Sequence, residues 1–236
     1  MNFTAVVRRY SPENDGQGLF VEYLVRDEPG MSVLDLLHQI HDEQDGTLAY
    51  RYSCRGAICG TCAMMINGTA RLACKTPVGE LLAEGSSILI EPLAGVPVIK
   101  DLVVDEYVFW NKIRKTLPWL MRAENGPDAK LIYEENLNKI HLDQLNRSSD
   151  CIKCACCVAE CPSFRVNPDF IGPSACNQMY KHLFDPRDAI TDNRIEISSG
   201  VGGVYDCDKF SICNKVCPKD CRPMRAITFI QNRLKG

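Results

Sequence analysis

Cysteines carry the first legible chemistry in this chain. Cys54, Cys59 and Cys62 stand in the spacing C-x4-C-x2-C, and Cys74 follows as a fourth. Four thiolates at that spacing hold a plant-type [2Fe–2S] centre. Gly56 and Gly60 suit a loop that wraps tightly round a cluster and turns its backbone N–H groups toward sulfur. Structural zinc is the competing reading, but zinc favours two C-x2-C pairs parted by a longer loop.

Cys151, Cys154, Cys157 and Cys161 form C-x2-C-x2-C-x3-C, followed by Pro162. In such a run three cysteines bind one cubane cluster and the fourth crosses to another. An imperfect copy lies in CDKFSICNKVCPKDC, residues 207–221, where Cys207, Cys213 and Cys217-Pro218 keep their places and Phe210 replaces the middle cysteine. By the same exchange Cys217 returns to the first cube. A [4Fe–4S] cluster on Cys151, Cys154, Cys157 and Cys217 is therefore expected, which leaves Cys161, Cys207 and Cys213. Three thiolates cannot cap four irons, so the expectation there is [3Fe–4S], with bulky Phe210 excluding a replacement ligand. Cys221 is the alternative fourth ligand, but it breaks the exchange pattern. Otherwise Cys156, between ligands, reads as a packing residue, and Cys156, Cys176 and Cys221 are assigned no function, buried free cysteine being common.

The bulk numbers fit this reading. The 236 residues are 45% hydrophobic and 24% charged, as in an ordinary soluble protein, and a net charge of −3 excludes a global field for nucleic acid. No apolar run approaches the ~20 residues that span a bilayer. MNFTAVVRRYSP has no signal-peptide core, so a cytoplasmic location is the default expectation. Fourteen cysteines in a reducing compartment point to metal rather than disulfides. Four fall between 54 and 74 and ten between 151 and 221, which suggests two metal-bearing modules joined by a cysteine-free segment.

Ordinary elements must position these residues. FTAVVRRY and LFVEYLV alternate as two strands round the turn SPENDGQG. Ser32 opens an amphipathic helix, SVLDLLHQIHDEQD, with Asp35 as capping-box partner. AMMI and ARLAC flank Asn67-Gly68, a two-residue hairpin signal, and ILIEPL reads as a closing strand. This is a small α+β domain of roughly 100 residues. Beyond it, VVDEYVFWNKIRKTLPWLM reads as a helix that Pro118 kinks or ends, YEENLNKIHLDQLNR as a polar helix, and CRPMRAITFIQNRLKG as a closing helix with Pro223 in its first turn. The second half is mainly α.

Three clusters in this order resemble the iron–sulfur subunit of the succinate dehydrogenase and fumarate reductase family. SCRGAICGTCAMMING, LACKT, VIKDLVVD, CIKCACCVAECPSF, FIGPSA and VCPKDCRPMRAI look like that family's blocks in their usual order. The resemblance implies an N-terminal β-grasp [2Fe–2S] ferredoxin domain at 1–100 and an all-α two-cluster ferredoxin domain at 101–236. It implies a flavoprotein partner carrying covalent FAD, which interconverts succinate and fumarate. It also implies a membrane anchor that binds quinone, with b-type haem in many members. This subunit would relay electrons between them without bond chemistry on the substrate, as a peripheral protein on the cytoplasmic face of the inner membrane. The absence of a spaced G-x-G-x-x-G after a strand agrees; GVGG at 200–203 reads as a flexible approach to Cys207.

Succinate dehydrogenases of the family carry tryptophan soon after CPSF and histidine after the first cysteine of the last run. Here Arg165-Val166 and Asp208 hold those places, which favours a menaquinol-linked fumarate reductase over succinate:quinone oxidoreduction. Lys209, Phe210 and Ser211 are quinone-pocket candidates by adjacency alone. A free-standing multi-cluster ferredoxin is the alternative from another class. Thiol-dependent fumarate reductases usually append a second cysteine-rich domain, and the end at Gly236 argues against one.

Weaker signals have bland readings. His38 and His41 share a helix face that could seat a metal, but beside Asp35 and Asp42 they read as a solvated polar face. The stretch with Trp110, Lys112, Arg114, Lys115, Trp119 and Arg122 reads as a helix packed on its own domain or a partner rather than on a membrane. Lys215, Lys219, Arg222, Arg225, Arg233 and Lys235 form a basic cluster that either meets an anionic membrane surface or is solvated charge near helix ends.

Overall fold

A computed structural model of the chain describes residues 2–13, 18–121, 138–185 and 188–236. Two units emerge from the contacts: Met1–Glu106 together with Ile152–Glu160, and Tyr107–Cys151 together with Cys161–Gly236. The segment Ile152–Glu160 thus packs with the N-terminal unit although it lies beyond residue 150.

In the first unit the alternating stretches become an antiparallel pair, β1 (Asn2–Arg9) and β2 (Leu19–Arg26). Ser32 caps α1 (Val33–Glu43) with the complete reciprocal box: its hydroxyl accepts from Asp35 N–H, and the Asp35 carboxylate accepts from Ser32 N–H at 3.0 Å. Asn67 (φ 47°) and Gly68 (φ 74°) turn β3 (Ala63–Ile66) into β4 (Thr69–Leu72), and two successive positive φ angles are what a tight hairpin demands. A short helix α2 (Val78–Glu84) leads to β5 (Ser87–Glu91), which runs parallel to β1 and antiparallel to β3. The order β2-β1-β5-β3-β4 makes a mixed β-grasp sheet. Val7, Val25, Ile66, Ile88 and Ile90 of the sheet are fully buried, as are Val33, Leu36, Leu37 and Ile40 of α1. Each such side chain contributes about 1.5–3 kcal/mol, so this face holds the cysteine loop's base rigid.

A small hairpin of β6 (Val98–Lys100) and β7 (Val103–Val104) turns at Asp101. The buried Asp101 carboxylate accepts from Arg9 Nε at 2.9 Å, Tyr10 N–H at 3.0 Å and Ala49 N–H at 2.8 Å. It ties the end of β1 to the chain that enters the first cysteine loop. Helix α5 (Cys156–Ala159) lies against β4, and Glu160 Oε1 accepts from Ala70 N–H at 2.7 Å.

The elements described in the second unit are helices: α3 (Tyr107–Lys115), α4 (Lys139–Ser149), α6 (Pro162–Val166), α7 (Gly172–Leu183), α8 (Thr191–Ser199), α9 (Ile212–Lys215) and α10 (Pro223–Leu234). Helices α3, α4, α8 and α10 all pack on α7, whose Cys176, Met179 and Tyr180 are fully buried. Prolines in the first turns of α6, α7 and α10 pre-set φ where no N–H is needed. The helix expected over 103–121 is shorter than its pattern. It starts only after β7 and ends at Lys115, where Leu117 takes a left-handed φ of 50° ahead of Pro118. Phe109 and Ile113 form its buried side, so it packs on its own unit; Arg122 lies outside the described residues, as do 133–137 of the expected polar helix and part of the first turn.

GVGG is not a flexible approach. A Cβ on Gly202 would meet Asp169 O at 2.1 Å and one on Gly203 would meet Ser198 O at 2.1 Å, while Gly202 O accepts from Ile171 N–H. Those glycines permit close backbone packing beneath Val204, which is fully buried.

Candidate metal centres

The first cysteine loop is shaped by backbone conformation. Arg55 (φ 52°), Ala57 (φ 55°) and Gly60 (φ 76°) take left-handed geometry. Alternation of this kind turns successive N–H groups inward as an anion-binding nest. Cys54 Sγ accepts from Gly56 N–H at 3.4 Å, Ile58 N–H at 3.3 Å and Cys59 N–H at 3.2 Å. These donors, Cys59's first, bring the exposed Cys54 thiol down to about 6, which favours the thiolate that binds metal.

Cys62 is buried, and both the N–H and the thiol of Cys74 reach it; Ala73 N–H clamps the turn on Cys62 O at 3.0 Å. Burial pushes the Cys62 thiol up to about 12. Such a site ionises only when a cation arrives. The structure therefore brings Cys54 beside Cys59 and Cys62 beside Cys74, within one unit.

The two glycines of this loop differ in necessity. A Cβ on Gly60 would lie 2.9 Å from Cys154 Cβ and 3.0 Å from Ile152 O, so the 152–160 segment approaches too closely for any side chain. Gly56 has no positive φ, and a Cβ there would make only ordinary contact, 3.6 Å from Cys54 O. The sequence reading treated both alike; only Gly60 is required.

In the second unit Cys161, Cys207 and Cys213 line one recess, together with Phe210, Ser211 and Met224. Each sulfur faces backbone donors. Ser163 and Phe164 N–H at the start of α6 point at Cys161, Lys209 N–H at Cys207, and Met224 and Asn214 N–H at Cys213. Burial still raises all three thiols, Cys213 to about 12. A three-thiolate cluster fits this donor set: anionic sulfur supplied with N–H groups in an apolar wall. Phe210 and Ser211 line the recess, whereas Lys209 contributes backbone. Phe210 is 56% exposed.

Phe210 is flanked by left-handed Lys209 (φ 62°) and Ser211 (φ 60°), as Cys154 is by Lys153 (φ 55°) and Ala155 (φ 62°). Asp208 is anchored by Ser163, whose hydroxyl donates to Oδ2 at 2.8 Å and accepts from Asp208 N–H at 3.1 Å.

Cys151 and Cys217 belong to the second unit, Cys154 and Cys157 to the first. Cys221, the alternative fourth ligand, lies beside Cys151 and Cys217 and does not line the three-thiol recess. A hydrogen bond from its side chain, opposed by burial, brings Cys217 down to about 6. Its place four residues past Cys217 was the only available signal. Cys176 is buried on α7, one turn beyond Pro173 of the recess wall, and Cys156 is fully buried beside Cys157. All fourteen cysteines are outside disulfides, and among the described residues no three His, Cys, Asp or Glu side chains close on a single ion.

The histidine face is only half solvated. Exposed His41 pairs with Asp42 at 2.9 Å, but His38 is drawn among Tyr50 and Tyr52, its Nδ1 2.7 Å from Tyr50 Oη. Burial and then Arg55 lower its pKa. In the C-terminal basic cluster, Arg222 pairs with Asp220 at 3.0 Å and Arg225 with Asp143 at 2.6 Å, so those two charges are already matched.

Residues 4–111 match the 2Fe-2S iron-sulfur cluster binding domain family. The fumarate reductase iron-sulfur subunit of Haemophilus influenzae is 36% identical over 229 residues, covering 94% of this chain and 88% of that one. An Arabidopsis thaliana relative, succinate dehydrogenase [ubiquinone] iron-sulfur subunit 3, mitochondrial, is 35% identical over 96% of this chain and 73% of its own length. The structure of the Mycobacterium smegmatis Sdh1 complex in the apo form includes a chain of the same fold, with a TM-score of 0.84, 24% identity, and coverage of 99% of this chain and 95% of that one.

Proposed function

This chain belongs to the iron–sulfur subunit family of fumarate reductase and succinate dehydrogenase, and from that premise we propose that it carries electrons between a quinone site in a membrane anchor and the FAD of a flavoprotein partner. Cys54, Cys59, Cys62 and Cys74 would hold [2Fe–2S]; Cys151, Cys154, Cys157 and Cys217 would hold [4Fe–4S]; Cys161, Cys207 and Cys213 would hold [3Fe–4S]. When bound, such clusters supply one-electron carriers of graded potential. The chain's own part is to hold thiolates with backbone donors and keep adjacent loops close.

The contact between Gly60 and the Cys154 backbone supports this most directly. A loop of one ligand set touches a ligand of the next, with no side chain between, and a short gap is what electron hopping needs. Fumarate reduction by menaquinol is the favoured direction. Asp208, tied to Ser163, and Arg165-Val166 occupy places where succinate dehydrogenases carry histidine and tryptophan. Phe210, Ser211 and Lys209 remain the proposed contribution to the quinone pocket. No helix among the described residues is long and apolar enough to cross a membrane, so attachment to the cytoplasmic face would come through the anchor.

Turnover of the purified complex with menaquinol–fumarate and with succinate–quinone tests the direction. Faster fumarate reduction is expected; clear preference for succinate oxidation makes the second reading, supported by the Arabidopsis relative, correct. Isolation as a stable monomer that shuttles electrons without partners would instead make it a free-standing ferredoxin. Iron and sulfide analysis should return nine irons per chain from these cluster types.

A further inference from the structure

Cys221 has no place in the three ligand sets, yet it is held against two of their members. Its backbone N–H donates to Cys217 Sγ at 3.3 Å, and its thiol lies within hydrogen-bonding reach of both Cys151 and Cys217. The position is rigid. Only 1% of the residue is exposed, and its carbonyl accepts from Gln144 Nε2 at 3.1 Å. Gln144 is itself buried and bonded to Ser148, which donates to Asn177. Immediately after it, Arg222 takes a left-handed φ of 51° and Pro223 starts α10. A hydrocarbon would fill this space equally well if packing were the only requirement, and it would remove the S–H that reaches Cys151 and Cys217.

We propose that Cys221 is a positioning residue for the [4Fe–4S] centre: its S–H and N–H donate to the sulfurs of Cys151 and Cys217, raising that centre's reduction potential. This rests on the ligand sets proposed above. A thiol is a weak donor in water, but a dry interior strengthens any hydrogen bond made there. Reduction adds one electron to a centre whose charge is spread onto sulfur. A fixed donor stabilises the reduced form more than the oxidised one, and hydrogen bonds to sulfur are among the factors that set cluster potentials. The proton stays on Cys221 throughout, no bond is made or broken, and the electron comes from the neighbouring carrier. Cys221 also touches the exchange residue of its run, Cys217, so the donor acts on one cluster only.

The test uses the purified complex with Cys221→Ala, Cys221→Val and Cys221→Ser. Ala and Val are expected to keep full iron and sulfide content. They should shift the [4Fe–4S] midpoint in an EPR-monitored titration to more negative potential, by up to about tenfold in the one-electron equilibrium, about 59 mV. Ser keeps a donor and should recover most of that shift, which a merely structural role would not produce. An unchanged midpoint in Ala and Val with iron complete overturns the proposal and leaves the ligand sets standing. Loss of the four-iron signal and of iron in Cys221→Ser would make Cys221 a ligand and overturn the ligand sets themselves. If the apolar variants do not accumulate, pulsed EPR of the unaltered complex in H2O and D2O decides. An exchangeable thiol proton coupled to the [4Fe–4S] centre is expected, and its absence refutes the role.

Discussion

Phe210 occupies in its loop the place that Cys154 occupies in its own. Lys209 and Ser211 flank the one, Lys153 and Ala155 the other, and all four take left-handed φ between 55° and 62°. For residues other than glycine this conformation costs roughly 1–2 kcal/mol apiece. The second loop keeps that strain although phenylalanine stands where the first has cysteine. Its backbone is shaped to present residue 210 as the first presents Cys154.

Phe210→Cys should therefore place a thiol at the corner that the proposed three-cysteine set leaves open, without remodelling the loop. The three-iron EPR signal should be replaced by that of a four-iron cluster, with slower quinone-linked turnover because cluster type and charge set the potential. An intact three-iron signal at full turnover would refute the assignment of that corner.

Gly60→Ala should destabilise the first unit by about 2 kcal/mol or more. It adds left-handed strain to a Cβ that would sit 2.9 Å from Cys154 Cβ. Gly56→Ala should cost well under that, since its φ is ordinary and its nearest neighbour lies at 3.6 Å. Thermal melts of the two variants, with the [2Fe–2S] EPR amplitude, separate them; equal losses would contradict the geometry.

Arg194→Ala should cost about 3–5 kcal/mol, the penalty for stranding a buried charge. Arg194 and Asp188 are both fully buried and paired at 2.8 Å, and the same guanidinium holds the carbonyls of Thr116, Leu117 and Trp119 that end α3. Burial alone would raise the Asp188 pKa, but Arg194 wins and the pKa is lowered. The carboxylate thus contributes stability above its unfolded value of about 3.9 and loses it as pH falls through the lower folded value. In the variant the unpaired carboxyl gains by protonation, so the deficit measured by denaturant unfolding should narrow below about pH 4. A deficit independent of pH would show that lost carbonyl contacts, not the ion pair, dominate.

Ser32→Ala should remove about 1 kcal/mol, because it deletes the hydroxyl that accepts from Asp35 N–H at the start of α1 and leaves only the backbone half of the box, Ser32 N–H to the Asp35 carboxylate. Ser32→Thr should retain most of the stability. Unfolding midpoints of the pair measure the cap, and equal midpoints for Ala and Thr would show that α1 is held by its buried face alone.

Local signals in the first unit were legible because each depends on neighbours in the chain. Ser32 with Asp35, Asn67 with Gly68, and the alternation in β1 and β2 all act within a few residues. The pattern over 103–121 overshot because Leu117 and the carbonyl-binding Arg194, far along the chain, end α3 early. GVGG looked mobile for a similar reason: Asp169 and Ser198, which press on it, cannot be seen from its composition.

The sequence by itself determined which thiols are available, how they are spaced, and that Phe210 stands in the second run where Cys154 stands in the first, because spacing is set by covalent reach along the backbone. Only the tertiary structure decided that Gly60 must be glycine while Gly56 need not be. It alone set Cys221 against Cys151 and Cys217 and drew His38 in among tyrosines. Those outcomes turn on which distant segments press together, and burial and hydrogen bonding between such segments are properties of the folded packing that no local spacing encodes.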